Sequence, residues 1–291
     1  MTGKVDLVEC PRDAMQGWDR MIPTEDKVRY LNALLQAGFH TLDFGSFVSA
    51  KAIPQMADTH DVIGGLERGA SRTRLLAIVA NVRGAGEAVE ESLVDDLGYP
   101  FSVSPTFQQL NANSSIEASF ERLSEIHLMA GRAGKQTVAY LSMAFGNPYG
   151  DAYSEQEVLN WALKLKELGI GTISLADTVG IATPEQISRL TGKLVTGLPG
   201  VRVGVHLHST AERRKEKVDA AWAAGARRFD GALLGLGGCP MSGNALVGNI
   251  DMAWMESHFR AQAVDTGVDE ESLSRCARMA PSVFGITGSG H

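Results

Sequence analysis

The chemistry in this sequence is densest at His206-Leu207-His208. Alternation along a strand turns both imidazoles to one face, where two neutral ring nitrogens can bind one divalent ion. An isolated His-x-His pair more commonly caps a loop and packs. Here the pair ends a β-type run, VRVGV, and other run ends carry acids, which favours a metal site. Oxygen ligands from Asp or Asn direct such a site towards Mg or Mn, and mixed nitrogen and oxygen donors also accept Zn. Arg12-Asp13 follows the first run, VDLVE. The guanidinium offers a planar fork to a carboxylate, a thioester oxygen or a developing enolate, and the carboxylate can ligate a metal or take a proton. Asp43 and Asp177 close two further runs. Cys239 lies in GLGGCPMSGN, a loop composition that could close over a substrate and exclude water, with the thiol as acid or base. Cys10 and Cys276 read as inert buried thiols.

These groups need a frame that gathers the run ends at one place. A short junction recurs along the chain: a helix-like stretch ends at Ala or Leu, Gly follows, and a strand-like run begins. It occurs at Ala37-Gly38, Ala133-Gly134, Leu168-Gly169 and Ala224-Gly225. Gly supplies the left-handed position just past a helix end. Helix starts are marked by Ser114 with Glu117, Ser154 with Glu157, and Thr183-Pro184 with Gln186, each fitting a capping box, and by Thr24 as a simpler N-cap. Strands are expected from near Val5, Thr41, Arg74, Phe101, Thr137, Thr172, Val201 and Arg228. Strands alternating with helices imply a parallel sheet, and eight such units in this length imply a (β/α)8 TIM barrel. The expectation is a single catalytic domain over residues 1–291, with extra C-terminal helices from about residue 250 onward. A barrel enzyme gathers its chemistry at the C-terminal strand ends, where Arg12, Asp13, Asp43, Asp177, His206, His208 and Cys239 fall.

Composition narrows the function classes. With 44% hydrophobic residues, 34 acidic against 27 basic residues and a net charge of −7, the chain is globular and lacks the charge for an extended nucleic-acid-binding face. Three cysteines suit a reducing compartment. There is no apolar run of about 18 residues, and the opening MTGKVDLVEC lacks the apolar core of a signal peptide. The expectation is a soluble cytoplasmic protein with a small-molecule substrate, and neither nucleic acid nor membrane as partner.

Several motifs then occur in one order. VECPRDAMQ, SFVSAKAIPQMAD, ISLADTVGIATP, VHLHST, and GLGGCP followed by GN together resemble the 3-hydroxy-3-methylglutaryl-CoA lyase family of metal-dependent lyase and aldolase barrels. The resemblance runs from about Val5 to Asn249. It implies cleavage of a 3-hydroxyacyl-CoA thioester to acetyl-CoA and acetoacetate, a bound divalent cation, and a homodimer as the family-level arrangement. Asp13, His206, His208 and Asn249 would be the metal ligands. Arg12 would stabilise the enolate oxygen, Cys239 would protonate the carbanion, Asp177 would orient substrate or hydrogen-bond the site, and Asp43 stands where the family has a functional Glu. Gln16 and Ser46 would support them. The chain departs from the pattern at Cys10 and Ala14, at Ser209 in place of an acid, at the charged run AERRKEK, and in GNPYGD, which lacks a Cys before Pro. Neighbouring activities of the same group are a lyase for a longer-branched 3-hydroxyglutaryl-CoA, a 2-keto-acid aldolase and a Claisen-type synthase. A barrel without activity, serving as a binding protein, is the non-enzymatic reading.

Overall fold

The computed structural model of the chain describes residues 3–238 and 247–286. Eight strands form a closed barrel in sequence order: β1 (Asp6–Glu9), β2 (Thr41–Phe47), β3 (Arg74–Val79), β4 (Asp96–Ser102), β5 (Gln136–Ser142), β6 (Thr172–Asp177), β7 (Arg202–Leu207) and β8 (Arg228–Gly231). Each pairs in parallel with its neighbours, and β8 closes on β1. Helices alternate with the strands: α1 (Pro11–Gln16), α2 (Thr24–Leu35), α3 (Thr59–Gly64), α4 (Val82–Glu90), α5 (Pro105–Ala112), α6 (Ile116–Arg132), α7 (Glu155–Glu167), α8 (Pro184–Gly197), α9 (Arg214–Ala223), α10 (Met252–Ala261) and α11 (Glu270–Phe284). The barrel and the C-terminal helices expected from the sequence are therefore present. No described helix is long and apolar enough to cross a membrane.

The strand period explains how the lumen is built. In β3, Leu75, Ala77 and Val79 pack outward into the layer shared with the helices, whereas Leu76 and Ile78 join Val138 and Tyr140 of β5 in a separate inner cluster. Gly98 of β4 leaves room for that cluster: a Cβ there would stand 2.6 Å from Ile78 Cδ1 and 2.9 Å from Leu76 Cδ2. The four junction glycines all take positive φ, from 72° at Gly134 to 103° at Gly169, as a left-handed helix end requires.

Some expected boundaries shift. β4 begins at Asp96, five residues before Phe101, because a run containing Gly98 and Pro100 is a strand after all. Pairing with β3 ends at Gly98, so Pro100, which has no N–H to give, interrupts no ladder on that side. The N-cap of α6 is Ser115, which accepts from Ala118 N, rather than Ser114. Thr24 is the first residue inside α2 and donates to Asp58 Oδ2 at 2.7 Å. Thr183 forms the full reciprocal capping box with Gln186.

Candidate active site

A cavity of about 620 Å³ opens at the C-terminal ends of the strands. Arg12, Asp13, Gln16, Asp43, His206 and His208 face it together, as the barrel rule leads one to expect. Pro11 at the start of α1 turns the chain directly out of β1 into a short helix, which puts Arg12 and Asp13 over the barrel axis side of the mouth.

Arg12 is the hub. Its Nε lies 3.1 Å from both oxygens of Asp43, and its Nη2 donates to Asp43 Oδ2 at 2.5 Å. Nη1 donates to Gln16 Oε1 at 2.8 Å and to Asp13 Oδ1 at 3.3 Å. A guanidinium has five N–H donors, so one on Nη2 stays uncommitted. Burial and the two flanking carboxylates act in opposite senses on Arg12, and the carboxylates, Asp43 first, keep it firmly protonated. Asp43 itself is raised, because burial outweighs the Arg12 charge.

Asp13 accepts from Arg12, from Gln16 Nε2 at 2.9 Å and from Asn249 Nδ2 at 2.6 Å. Burial pushes its carboxyl up, but Arg12, then His206 and His208, outweigh it and hold the group below the ordinary Asp range. An antiparallel bridge of His208 with Asn249 brings the late chain segment beside β7. Asn249 Nδ2 also donates to Leu236 O at 2.7 Å, whereas its Oδ1 is buried with no hydrogen-bond partner.

The two imidazoles have ring centroids 5.0 Å apart. His208 Nδ1 donates to Val247 O at 3.0 Å, which leaves the Nε2 lone pair free. Burial first, then the charge of His206, pushes His208 down to about 4, so the ring is neutral near pH 7. His206 is raised: burial opposes its charge, but Asp230, with Asp13 behind it, overcomes that.

These donors fit a divalent cation. Asp13, His206 and His208 line the same cavity, Asn249 donates to Asp13 through Nδ2, and a bound cation would satisfy the orphaned Asn249 Oδ1. A second convergence escaped the sequence reading: ligand-type atoms of Cys10, His206 and Asp230 all lie within 4.8 Å of one another, with Cys10 and Asp230 buried beneath the cavity-lining His206. Cys10 looked inert, and Asp230 drew no notice because a carboxylate inside a strand announces no direction.

Two expected residues fall elsewhere. Asp177 does not line the cavity: its Oδ1 accepts from Ala182 N at 3.0 Å and its Oδ2 from Lys217 Nζ at 2.7 Å, so it pins the loop after β6. Lys217, buried on α9, also donates to His208 O at 2.8 Å and Gly180 O at 3.0 Å, which ties that loop to β7. Ser46 donates to Ile78 O within the sheet and does not reach the mouth. Cys239 lies outside the described residues. The basic run at the start of α9 is locally consumed: Arg213 pairs with Glu216, Lys215 with Asp219, and Arg214 stacks 4.5 Å over Trp254.

The HMGL-like family model matches residues 5–280. The chain is similar to the hydroxymethylglutaryl-CoA lyase of Bacillus subtilis, at 34% identity with 97% of this chain and 94% of that protein covered. It is similar to the 3-hydroxy-3-isohexenylglutaryl-CoA/hydroxymethylglutaryl-CoA lyase of Pseudomonas aeruginosa, at 32% identity with 97% and 93% covered. Among solved structures, an HMG-CoA lyase from Acinetobacter baumannii in complex with coenzyme A and 3-methylmalate superposes with a TM-score of 0.90 at 32% identity, over 97% of this chain and 92% of that one.

Proposed function

The chain belongs to the HMGL-like family, and on that premise we propose that its barrel mouth cleaves 3-hydroxy-3-methylglutaryl-CoA to acetyl-CoA and acetoacetate. One observation carries the reading: Arg12, Asp13, Asp43, His206 and His208 face a single cavity, with the Asn249 amide against Asp13. We assign Asp13, His206, His208 and Asn249 as ligands of a divalent cation, Mg or Mn by their mixture of oxygen and imidazole donors, with Zn as the alternative. Bound there, the cation supplies Lewis acidity towards the substrate's hydroxyl and carbonyl oxygens.

The remaining work belongs to the chain's own groups. Asp43 and Gln16 hold the Arg12 guanidinium flat and immobile, so the uncommitted Nη2 N–H is set in advance to donate to the thioester oxygen. Negative charge builds on that oxygen as the C2–C3 bond breaks, and a donor already in place stabilises it without reorganising. The electron pair of the broken bond stays with the acetyl carbon, C3 becomes the ketone of acetoacetate as a general base at the mouth takes the hydroxyl proton, and Cys239 is assigned as the acid that protonates the acetyl carbon. Asp177 acts at a distance, by holding the loop after β6 through Lys217.

A second reading has support of its own. Away from the histidines, Ile78, Pro100, Phe107 and Leu110 give the cavity an apolar stretch, bordered by Asn81, Asn111, Asn113 and Arg122, and Leu110 is 53% exposed. Such a stretch suits a 3-substituent larger than methyl, as in the first-named substrate of the Pseudomonas relative. The test is to incubate Mg- or Mn-loaded protein with a panel of 3-hydroxy-3-alkylglutaryl-CoA thioesters and 2-keto acids, and to identify products by mass spectrometry. Acetyl-CoA with acetoacetate supports the first reading. Acetyl-CoA with only a longer 3-keto acid supports the second, and turnover of 2-keto acids alone overturns both.

A further inference from the structure

The polar wall continues below the cavity. β7 and β8 run in register with His206 opposite Asp230, and β1 sets Val8 against Asp230 on the other side, so this carboxylate sits directly behind the imidazole. Asp230 Oδ2 is 3.4 Å from His206 Nδ1, and Arg228 Nε is 3.6 Å from Oδ1. Neither contact is a hydrogen bond of ordinary length, and both carboxylate oxygens are buried without a partner. Arg228 is drawn away, with Nη2 donating to Tyr140 Oη at 3.0 Å. A buried carboxylate with two idle acceptors beside an imidazole N–H is an arrangement poised to tighten.

We propose that Asp230 is a positioning residue for His206: it accepts a hydrogen bond from Nδ1–H, fixes that tautomer, and aims Nε2 at the mouth. The proposal rests on the reading of His206 and His208 as cation ligands. It also gives the two histidines different characters. His208 is anchored by a neutral carbonyl, that of Val247, and His206 by a carboxylate, which makes His206 the more basic donor of the pair. Cys10 Sγ, the third member of the cluster, turns towards Val8 O at 3.6 Å and supplies no ligand in this account.

Titration of the full chain with Co(II), followed by its visible spectrum and by calorimetry, tests this without reference to activity. Asp230→Asn is expected to bind Co(II) about 10–100-fold more weakly than wild type, the usual effect of removing a carboxylate behind a ligating histidine, while His208→Ala loses binding. Binding by Asp230→Asn within twofold of wild type, with binding lost in His208→Ala, overturns the role of Asp230 alone. Unchanged binding in both variants overturns the ligand assignment and this inference with it. A sulfur-to-cobalt charge-transfer band that persists in Cys239→Ser and is lost in Cys10→Ser also overturns it, because Cys10, His206 and Asp230 would then hold the ion themselves. Should Asp230→Asn fail to fold, side-chain 15N spectra of Zn-loaded wild type decide: a proton on His206 Nδ1 with Nε2 ligated supports the proposal, and ligation through Nδ1 contradicts it.

Discussion

Across the lumen, β2, β7 and β8, with Cys10 just past β1, present Cys10, Asp43, His206 and Asp230, whereas β3 to β5 present Leu76, Ile78, Gly98, Val138 and Tyr140. The polar wall is a linked set. Arg12 joins Asp43 to Asp13 and Asp13 joins Asn249, while Asp230 stands behind His206 with its oxygens unpartnered. The apolar wall makes few directed contacts and contributes volume and a low dielectric, which strengthens the electrostatics opposite. The difference teaches that substitutions on the two walls should fail in different ways: on the polar wall turnover falls with the cation, and on the apolar wall substrate preference moves while the cation stays.

The strongest break of this contrast is His208→Ala. Loss of a ligand should cost ~1000-fold or more in turnover together with cation binding, since several kcal/mol of transition-state stabilisation go with it. Steady-state kinetics and calorimetry check both. Arg12→Gln should leave cation binding intact and lower kcat by about 100–1000-fold, as loss of a donor to a developing oxyanion does, with a smaller change in KM. An unchanged kcat with a raised KM would make Arg12 a binding residue only. Ile78→Ala, on the facing wall, should shift preference towards a longer 3-substituent by roughly 10-fold or more, the scale set by methylene-sized changes in an apolar pocket. Competition between two thioesters measures it, and an equal loss for every substrate would erase the distinction between the walls.

The eight-unit rhythm was legible because each Gly junction must adopt a left-handed turn, and the sequence marks it with a residue that has no rival there. β4 was misread at its start because Gly98 and Pro100 look like turn residues. Only the packed lumen reveals that Gly98 is there to make space for Ile78 and Tyr140. Of the candidate site, the residues that the structure brings together, Arg12, Asp13, Asp43, His206, His208 and Asn249, are the ones that strand ends and motif resemblance single out. Asp177 shared their position in sequence but not their direction, because its partner Lys217 lies forty positions downstream on another element. Asp230 was invisible for the converse reason: its meaning comes from two neighbouring strands that no local pattern names.

The smallest predicted effect is on stability against pH in cation-free protein. His208 is pushed from 6.5 down to about 4 by burial and the charge of His206. As the pH falls through 6.5 the unfolded chain takes up a proton on this ring, and the folded chain does so only near 4. The stability from keeping His208 neutral is therefore fully present above 6.5 and is lost between 6.5 and 4. Thermal melts across that window should fall more steeply for wild type than for His208→Asn, and parallel slopes would contradict the buried, neutral ring.

Anomalous diffraction from Mn-soaked crystals, collected at the manganese edge, addresses the polar wall most directly. The account predicts one strong peak within coordination distance of Asp13, His206 Nε2, His208 Nε2 and Asn249 Oδ1. A peak enclosed by Cys10, Asp230 and His206 Nδ1, or no peak in the barrel mouth, would contradict it.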